Sequence, residues 1–249
     1  MKICLIAGCS HSAGSEIDGS EDSNYNRSNS FGNLLAGKLN RKPINIALTG
    51  ATNQGIARSI LEFFKTYDID PKDVFVIVGW TDSVRAEVAI DWNGNYKKSN
   101  LGADWYSKTA NDYLRVNMGW PGVFEKEMRI IKNTQDFMAT NTTYLEILSA
   151  NLVLQLQFYF KLHNIEYLMC NTQHVWSDAP QLNFYYELFD TSRYIDYRYN
   201  NQCFYWKYKH LGYDNPKAKY GHHNEVPHKL YATELYNFIH QNGLINDLT

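Results

Sequence analysis

A serine and a histidine stand near opposite ends of the chain, each beside an element that could position it. Ser10 follows the apolar run 2–7 and lies in the segment GCSHSAG at 8–14. His222 lies in the segment YGHHNEVPH at 220–228, directly before a helical pattern. A serine hydroxyl is a weak nucleophile until a base removes its proton, and histidine is the most frequent base. The two residue types therefore predict nucleophilic catalysis.

The elements that would position these residues alternate along the first third of the chain. Apolar runs predict strands at 2–7, 44–48 and 74–78. Apolar residues at helical spacing predict a helix at 30–40, capped by Ser30, and another that begins after Thr52 or Asn53. This alternation predicts a parallel sheet with crossover helices, and ligands bind such sheets at the carboxyl ends of the strands. Ser10 and His222 can meet at that edge.

The rest of the chain continues the pattern with two interruptions. We predict helices at 124–133 and 136–164, a strand at 165–170 and a closing helix at 226–242. The stretches between them are long, polar and aromatic, and 171–220 is expected to be irregular. We expect one domain over 1–249, with insertions at about 82–119 and 171–220.

Charge and cysteine content narrow the class of protein. With 24 basic and 26 acidic residues, the formal net charge is −2, and no basic patch points to nucleic acid or an anionic membrane. The cysteines at 4, 9, 170 and 203 have no paired spacing, so we expect reduced thiols. No signal peptide and no apolar run of about 20 residues is apparent. These features favour a cytoplasmic protein, with association with a virus particle or release by lysis left open.

Aromatic residues are abundant, with 19 Tyr, 12 Phe and 6 Trp. They either anchor surface loops to the core or form a surface for a ligand or partner, since Tyr and Trp combine an apolar face with a polar tip. Many of them cluster in segments without the pattern of a core element, among them Trp92, Tyr96, Trp105, Tyr106, Tyr113, Trp120, Tyr194, Tyr197, Tyr199, Phe204, Tyr205, Trp206 and Tyr208.

Other chemistries fit the two motifs less well. A phosphate-binding P-loop needs a lysine that the segment 8–14 lacks, and a Gly-x-Ser-x-Gly elbow needs glycine in place of Ser12. His222, His223 and His228 are close in sequence, but their spacing matches no zinc signature. We therefore expect no metal and no cofactor. For His228 the simpler interpretation is a helix residue that hydrogen-bonds a nearby loop.

Four segments, in order, resemble the conserved blocks of SGNH/GDSL hydrolases. Segment 8–14 resembles the first block, with Cys9 where aspartate is usual, and 45–53 is similar to the second. Gly-Trp-Thr-Asp at 79–82 stands where the family has Gly-x-Asn-Asp, in a form similar to that of bacteriophage-encoded members. Segment 220–228 resembles the last block. The resemblance implies a three-layer, flavodoxin-like α/β fold.

The resemblance also implies roles for individual residues. Ser10 would attack an ester carbonyl, and His222 would take its proton and return it to the leaving alcohol. The amides of Ser10 and Gly50 would hold the oxyanion, with Thr81 at the place of the third donor, which is usually an asparagine.

One expected residue is missing from this pattern. The family places its acid three residues before the base, where this chain has Lys219. Asp214 or Glu225, both nearby in sequence, could substitute, or a backbone carbonyl could orient His222. Side chains expected near the substrate are His11, Trp80, Asp82 and His223.

These inferences favour a serine esterase or deacetylase that acts on an acylated small molecule or glycan. Two alternatives remain at this point. One is a weakly active or inactive module that binds a partner or has a structural role, for example in a virus particle. The other is an O-acyltransferase that uses the same serine. The sequence does not specify an oligomeric state.

Overall fold

A computed structural model of the chain describes residues 2–89, 113–117, 128–173, 176–195, 197–198 and 203–245. The strands are Ile3–Gly8 (β1), Lys42–Asn45 (β2), Val74–Trp80 (β3), Arg85–Ala89 (β4), Tyr113–Asn117 (β5), Glu166–Asn171 (β6) and Tyr194–Ile195 (β7). The α-helices are Ser10–Ala13 (α1), Asn24–Ser28 (α2), Phe31–Lys38 (α3), Asn53–Thr66 (α4), Met128–Thr140 (α5), Thr142–Leu162 (α6), Asn183–Leu188 (α7), Phe204–His210 (α8) and Glu225–Gln241 (α9). Short 3₁₀ helices cover Pro71–Asp73, Pro180–Leu182 and Thr191–Arg193.

The main sheet of the described residues has the strand order β2-β1-β3-β6-β7, and all of its strand pairs are parallel. Counted within this sheet alone, the order is 2-1-3-4-5, which is the flavodoxin-like arrangement. The prediction of a flavodoxin-like α/β fold is therefore confirmed. β1 and β3 occupy central positions, so the residues that follow them lie at the middle of the carboxyl edge.

Helices cover both faces of this sheet, which gives three layers. On one face, α4 and α6 pack against the apolar side chains of β1, β3 and β6 that include Leu5, Val76 and Met169. On the other face, α3, α8 and α9 pack against the alternate side chains, which include Ile6 and Ile77. Since β1 and β3 are fully buried on both faces, they read as continuous apolar runs.

Polar side chains begin the main helices where the sequence predicts them. The Ser30 hydroxyl accepts a hydrogen bond from the Asn33 amide at the start of α3. Thr52 does the same for Gly55 at the start of α4. Each cap satisfies an amide that the first turn of a helix leaves unpaired.

Three sequence predictions need correction. The helices predicted at 124–133 and 136–164 are divided at Asn141, since α5 is Met128–Thr140 and α6 is Thr142–Leu162. The second strand is Lys42–Asn45 rather than 44–48, although the amides of Ile46 and Leu48 still donate hydrogen bonds to carbonyls of β1. The stretch 171–220 is not irregular throughout, since it contains α7, β7 and α8. Tyr194, Phe204 and Tyr208 within it are buried in the core, so these aromatic residues act as anchors.

The first insertion contributes a small antiparallel pair of strands. β4 pairs with β5, with Arg85 opposite Asn117 and Ala89 opposite Tyr113. The predicted helix start at 124 and the aromatic residues at 92, 96, 105, 106, 120 and 199 lie outside the described residues. In the described part of the chain, no helix has both the length and the apolar character needed to cross a membrane.

Candidate active site

Ser10 and His222 both lie at the carboxyl edge of the sheet, as predicted. Ser10 is the first residue of α1, two positions after β1 ends, and only 5% of it is exposed. His222 lies in the loop before α9 and is 9% exposed. The ring of His11, the residue after Ser10, is 4.8 Å from the ring of His222. The two ends of the chain therefore meet at this edge.

The acid next to His222 is Glu16, a residue that the sequence did not single out. Its Oε2 atom lies 2.6 Å from Nδ1 of His222, and Glu16 is only 1% exposed. The same carboxylate accepts hydrogen bonds from the amides of Lys219 and Tyr220. Three donors thus fix a buried carboxylate against the imidazole ring.

Burial and hydrogen bonding set the charge of this pair. Burial alone would raise the pKa of the Glu16 carboxyl, but the hydrogen bonds from His222 and Tyr220 bring that pKa below its ordinary value. Burial lowers the pKa of the His222 ring, and this effect outweighs the opposite effect of Glu16. Near neutral pH the pair is a carboxylate and a neutral imidazole. We infer that Nδ1 carries the proton and donates a hydrogen bond to the Glu16 carboxylate, which leaves Nε2 free to act as a base.

The expected alternatives to Glu16 lie elsewhere. Glu225 forms an exposed ion pair with Lys229, one turn further along α9. Asp214 contacts the loop through its backbone carbonyl, which accepts a hydrogen bond from Asn224. Among the described residues, the carboxylate that contacts His222 is therefore that of Glu16 and not that of Asp214 or Glu225.

Within the described part of the chain, the Ser10 hydroxyl forms no hydrogen bond with His222. In ligand-free enzymes the hydrogen bond between nucleophile and base is often long and tightens when substrate binds. The two residues lie at one edge of the sheet, and no hydrogen bond joins them in the described structure.

Gly50 and Thr81 follow β2 and β3 and lie at the same edge. Gly50 has φ of +72°, a conformation that glycine adopts without strain. The backbone N–H and C=O of Thr81 each form a hydrogen bond with the Asn53 side chain. These bonds connect the start of α4, which follows β2, to the loop after β3. The Thr81 side chain is fully buried, and its hydroxyl has no partner among the described residues.

Glycines at the ends of β1 and β3 allow α1 to pack closely on the sheet. Gly8 pairs with Gly79 in register, and a Cβ at either position would overlap the Ser12 hydroxyl. That hydroxyl is fully buried and lacks a partner in the described part of the chain. The glycines of the first and third blocks therefore make room for the helix that begins at Ser10.

His11 and Trp80, which the sequence places near the substrate, are both buried, and Trp80 belongs to the apolar core. The His11 ring is 4% exposed and lies 5.3 Å from the ring of Tyr205, and its Nδ1 has no described partner. Burial holds the pKa of His11 well below its ordinary value, and the neighbouring His222 adds to this effect. Trp80 is 1% exposed, and its indole N–H also lacks a described partner.

Asp82 and His223 have local hydrogen-bonding roles. Asp82 accepts a hydrogen bond from the Val84 amide, which stabilises the turn after β3. Both ring nitrogens of His223 lie within 3.0 Å of carbonyl oxygens, those of Tyr213 and Tyr205. His223 is 2% exposed and thus holds α8 to the loop that carries His222.

His228 serves the fold, as the simpler interpretation of the sequence expects. Its Nδ1 accepts a hydrogen bond of 3.1 Å from the Phe31 amide at the start of α3. Burial lowers the pKa of His228 to about 3, which keeps the ring neutral. Among the described residues, no group of three or more His, Cys, Asp or Glu side chains could hold a metal ion.

One feature of the sequence could have revealed Glu16. Glu16 is one of two glutamates in the polar stretch 15–29, and it follows Ser10 by six positions. In the structure it has φ of +63°, which is uncommon for a residue other than glycine. A short loop after α1 thus turns its carboxylate back toward the site.

Comparisons with known proteins find similar structures but no similar sequences. No family model and no curated protein matches the chain. The esterase EstA from Pseudoalteromonas sp., in a structure inhibited by monoethylphosphonate, has a TM-score of 0.44 and 13% identity, with 97% of this chain and 98% of that chain covered. The acetyl xylan esterase Est2A from the rumen bacterium Butyrivibrio proteoclasticus has a TM-score of 0.45 and 11% identity, with 98% of this chain covered.

A further similar structure is that of a carbohydrate esterase whose active site displays divergent catalytic and non-catalytic binding functions. It has a TM-score of 0.42 and 11% identity, with 96% of this chain covered. This chain spans 65% of the length of that protein and of Est2A. Since all three TM-scores are below 0.5, these likenesses decide neither the family nor the activity of the chain.

Proposed function

We propose that this protein is a serine esterase of the SGNH type, with Ser10 as nucleophile, His222 as base and Glu16 as the orienting acid. The observation that carries the proposal is the hydrogen bond of 2.6 Å between Glu16 and Nδ1 of His222. A buried carboxylate in this position orients the imidazole and stabilises its protonated form, as the acid of a serine triad does. Glu16 thus provides the acid that the family pattern places three residues before the base, where this chain has Lys219.

The reaction would proceed through an acyl-enzyme. Nε2 of His222 takes the proton of Ser10 as the hydroxyl oxygen attacks the ester carbonyl. The protonated ring then gives that proton to the leaving alcohol as the ester C–O bond breaks. A water molecule, activated by the same nitrogen, releases the acid and restores Ser10. Glu16 stays ionised throughout and stabilises the imidazolium at each step.

The amides of Ser10 and Gly50 would bind the oxyanion, with the Thr81 hydroxyl as a third donor. Preorganised donors of this kind are each worth about 3 kcal/mol of barrier lowering. The positive φ of Gly50 and the two bonds between Thr81 and Asn53 support this assignment, since they fix the loops that carry the donors.

The substrate we propose is an ester, such as an O-acetyl group, on a small molecule or glycan. Tyr220 supports a carbohydrate, because it lies two residues before His222 and is 57% exposed. An exposed aromatic face beside the site can stack on the apolar face of a sugar ring.

Hydrolysis of p-nitrophenyl acetate by the parent protein and by Ser10→Ala tests the proposal. We expect turnover by the parent and only the background rate with Ser10→Ala. Ser12→Ala is the matched control, since the Ser12 hydroxyl is buried without a described partner, and this variant should keep the activity of the parent. Equal rates for the parent and Ser10→Ala would contradict the proposal.

A specific observation favours a second candidate, a binding module without catalysis. The Ser10 hydroxyl forms no hydrogen bond with His222 in the described structure. A module of this kind would hydrolyse no activated ester and would still bind its ligand at the same edge. The binding of a ligand by Ser10→Ala and by the parent with equal affinity, without turnover by either, would support it.

A further inference from the structure

Arg85 is a buried cation whose described partners are all neutral. It is the first residue of β4 and is only 9% exposed. Its Nη2 donates to Oε1 of Gln173 at 2.6 Å, and its Nη1 donates to the carbonyl of Ala51 at 3.4 Å. Among the described residues it forms no ion pair. A guanidinium has five N–H donors, so these two bonds leave donors to spare.

The partners of Arg85 place it at the proposed active site. Ala51 is the residue after Gly50, which we assign to the oxyanion hole. Gln173 follows Thr172, whose amide and hydroxyl both bond to the carbonyl of Trp80 at the end of β3. Arg85 therefore links the loops after β2 and β6. Its positive charge also contributes to the lowered pKa values of His11 and His222.

The carboxylates nearest to Arg85 in sequence, and the carboxylate of the proposed active site, have other partners. Glu87, on the same strand, forms a salt bridge with Arg58. Asp82 accepts from the Val84 amide, and Glu16 is held by His222. A buried charge is costly unless it is paired. Among the described residues, no carboxylate forms an ion pair with Arg85.

Unpaired polar atoms occur in the same region. His11 Nδ1 and the Thr81 hydroxyl are buried without partners in the described part of the chain, and Thr81 is four residues before Arg85. In folded proteins the large majority of buried polar side-chain atoms have a hydrogen-bond partner. Arg85 acts electrostatically on His11, so an unpartnered polar atom lies near a cation that has no acidic partner among the described residues. This combination suits a polar, negatively charged ligand.

We propose that Arg85 binds a carboxylate of the substrate, so that the preferred ester is one of an anionic molecule. This inference rests on the proposed esterase function and adds to it a class of substrate. The guanidinium fork matches a carboxylate through two parallel hydrogen bonds, which gives both orientation and charge recognition. The carboxylate belongs either to the acyl part or to the alcohol part of the ester, and the same recognition applies to both.

Two pairs of model esters test the proposal. 4-Nitrophenyl hydrogen succinate against 4-nitrophenyl butyrate places the charge on the acyl part. 4-Acetoxybenzoate against its methyl ester places it on the alcohol part. In one of the pairs we expect the parent to prefer the anionic member by about tenfold or more in kcat/KM, as one charged hydrogen-bonded contact provides.

Arg85→Met should abolish that preference, with a much larger loss on the anionic ester than on the neutral one. Arg193→Met is the matched control, because Arg193 also donates to a backbone carbonyl, that of Tyr167, but lies away from the proposed site. It should keep the preference. The absence of any preference in the parent, or an equal loss on both members of a pair in Arg85→Met, would overturn the proposal.

A binding measurement separates this inference from the esterase proposal. Calorimetric titration of Ser10→Ala with 4-acetoxybenzoate and with the hydrogen succinate ester measures recognition without turnover. Weaker binding by Ser10→Ala with Arg85→Met than by Ser10→Ala supports the anion site even if the parent hydrolyses no ester. Equal binding by the two proteins, or no binding by either, counts against Arg85 whatever the outcome for hydrolysis.

Discussion

Glu16 and His222 are 206 positions apart in sequence, yet Oε2 of the first lies 2.6 Å from Nδ1 of the second. The contact joins the loop after α1 to the loop before α9, and α1 also begins with Ser10. One short segment of the chain, from Ser10 to Glu16, thus carries both the proposed nucleophile and the proposed acid. His222 alone comes from the other end of the chain.

Replacement of Glu16 by glutamine tests its role as the orienting acid. The variant keeps the shape of the side chain and removes the negative charge that stabilises the imidazolium. By analogy with serine triads, we expect kcat to fall by about 10³–10⁴-fold. Activity on p-nitrophenyl acetate, with circular dichroism to verify the fold, makes the measurement. A loss of less than threefold would show that His222 does not depend on this carboxylate.

The Lys219 side chain, in contrast, should be dispensable. Only its amide contacts Glu16, while its ammonium group lies over the exposed ring of Tyr220. A solvent-exposed charge interacts only weakly with its surroundings. We therefore expect kcat/KM of Lys219→Ala to stay within about threefold of the parent value. Lys219→Pro is a second variant to compare, since it removes the backbone N–H that donates a hydrogen bond to Glu16. Equal activity of the alanine and proline variants would contradict the role of that amide.

The pH dependence of kcat/KM should report the His222 ring. Only the neutral ring acts as a base, and burial lowers its pKa, so the acid limb should lie below the ordinary histidine value of about 6.5. Glu16 opposes this effect, whereas Arg85 and His223 add to it. Glu16→Gln should therefore move the limb to still lower pH in its residual activity. If the acid limb of this variant moved to higher pH, the assignment of the limb to a His222 ring in contact with Glu16 would be wrong.

Much of this architecture is predictable from local sequence. The run Val74–Trp80 is apolar throughout because the strand is buried on both faces, and such a run is recognisable without any knowledge of its neighbours. The caps at Ser30 and Thr52 are also local, since each side chain bonds an amide three residues away. The placement of Ser10 and His222 follows from the topology of a parallel sheet.

The features that the sequence analysis did not identify owe their roles to contacts between residues that are distant in sequence. Glu16 stands in a polar loop, where a glutamate is unremarkable until His222 is brought beside it. β7 is only two residues long, Tyr194 and Ile195, so no periodicity could indicate it. Arg85 begins a strand in a polar stretch, and its burial follows from the loops that close around it. In each case tertiary packing, rather than local preference, assigns the role.

His228 should make the stability of the protein depend on pH. The folded state keeps its ring neutral down to a pKa of about 3, whereas the unfolded chain protonates it below about 6.5. The unfolded state therefore binds more protons as the pH falls. The contribution of His228 to the free energy of unfolding is fully present above about pH 6.5 and disappears toward pH 3, with a slope of about 1.4 kcal/mol per pH unit.

His228→Asn isolates this effect, because asparagine does not titrate and its carbonyl can still accept from the Phe31 amide. The variant loses packing and should be less stable at pH 7, so the slopes are compared rather than the stabilities. Urea unfolding at pH 7, 6, 5 and 4 should give a shallower loss of stability for the variant. His11, whose pKa is also lowered, is present in both proteins and cancels in the difference. Identical slopes would mean that His228 is already protonated in the folded state or that its ring is open to solvent.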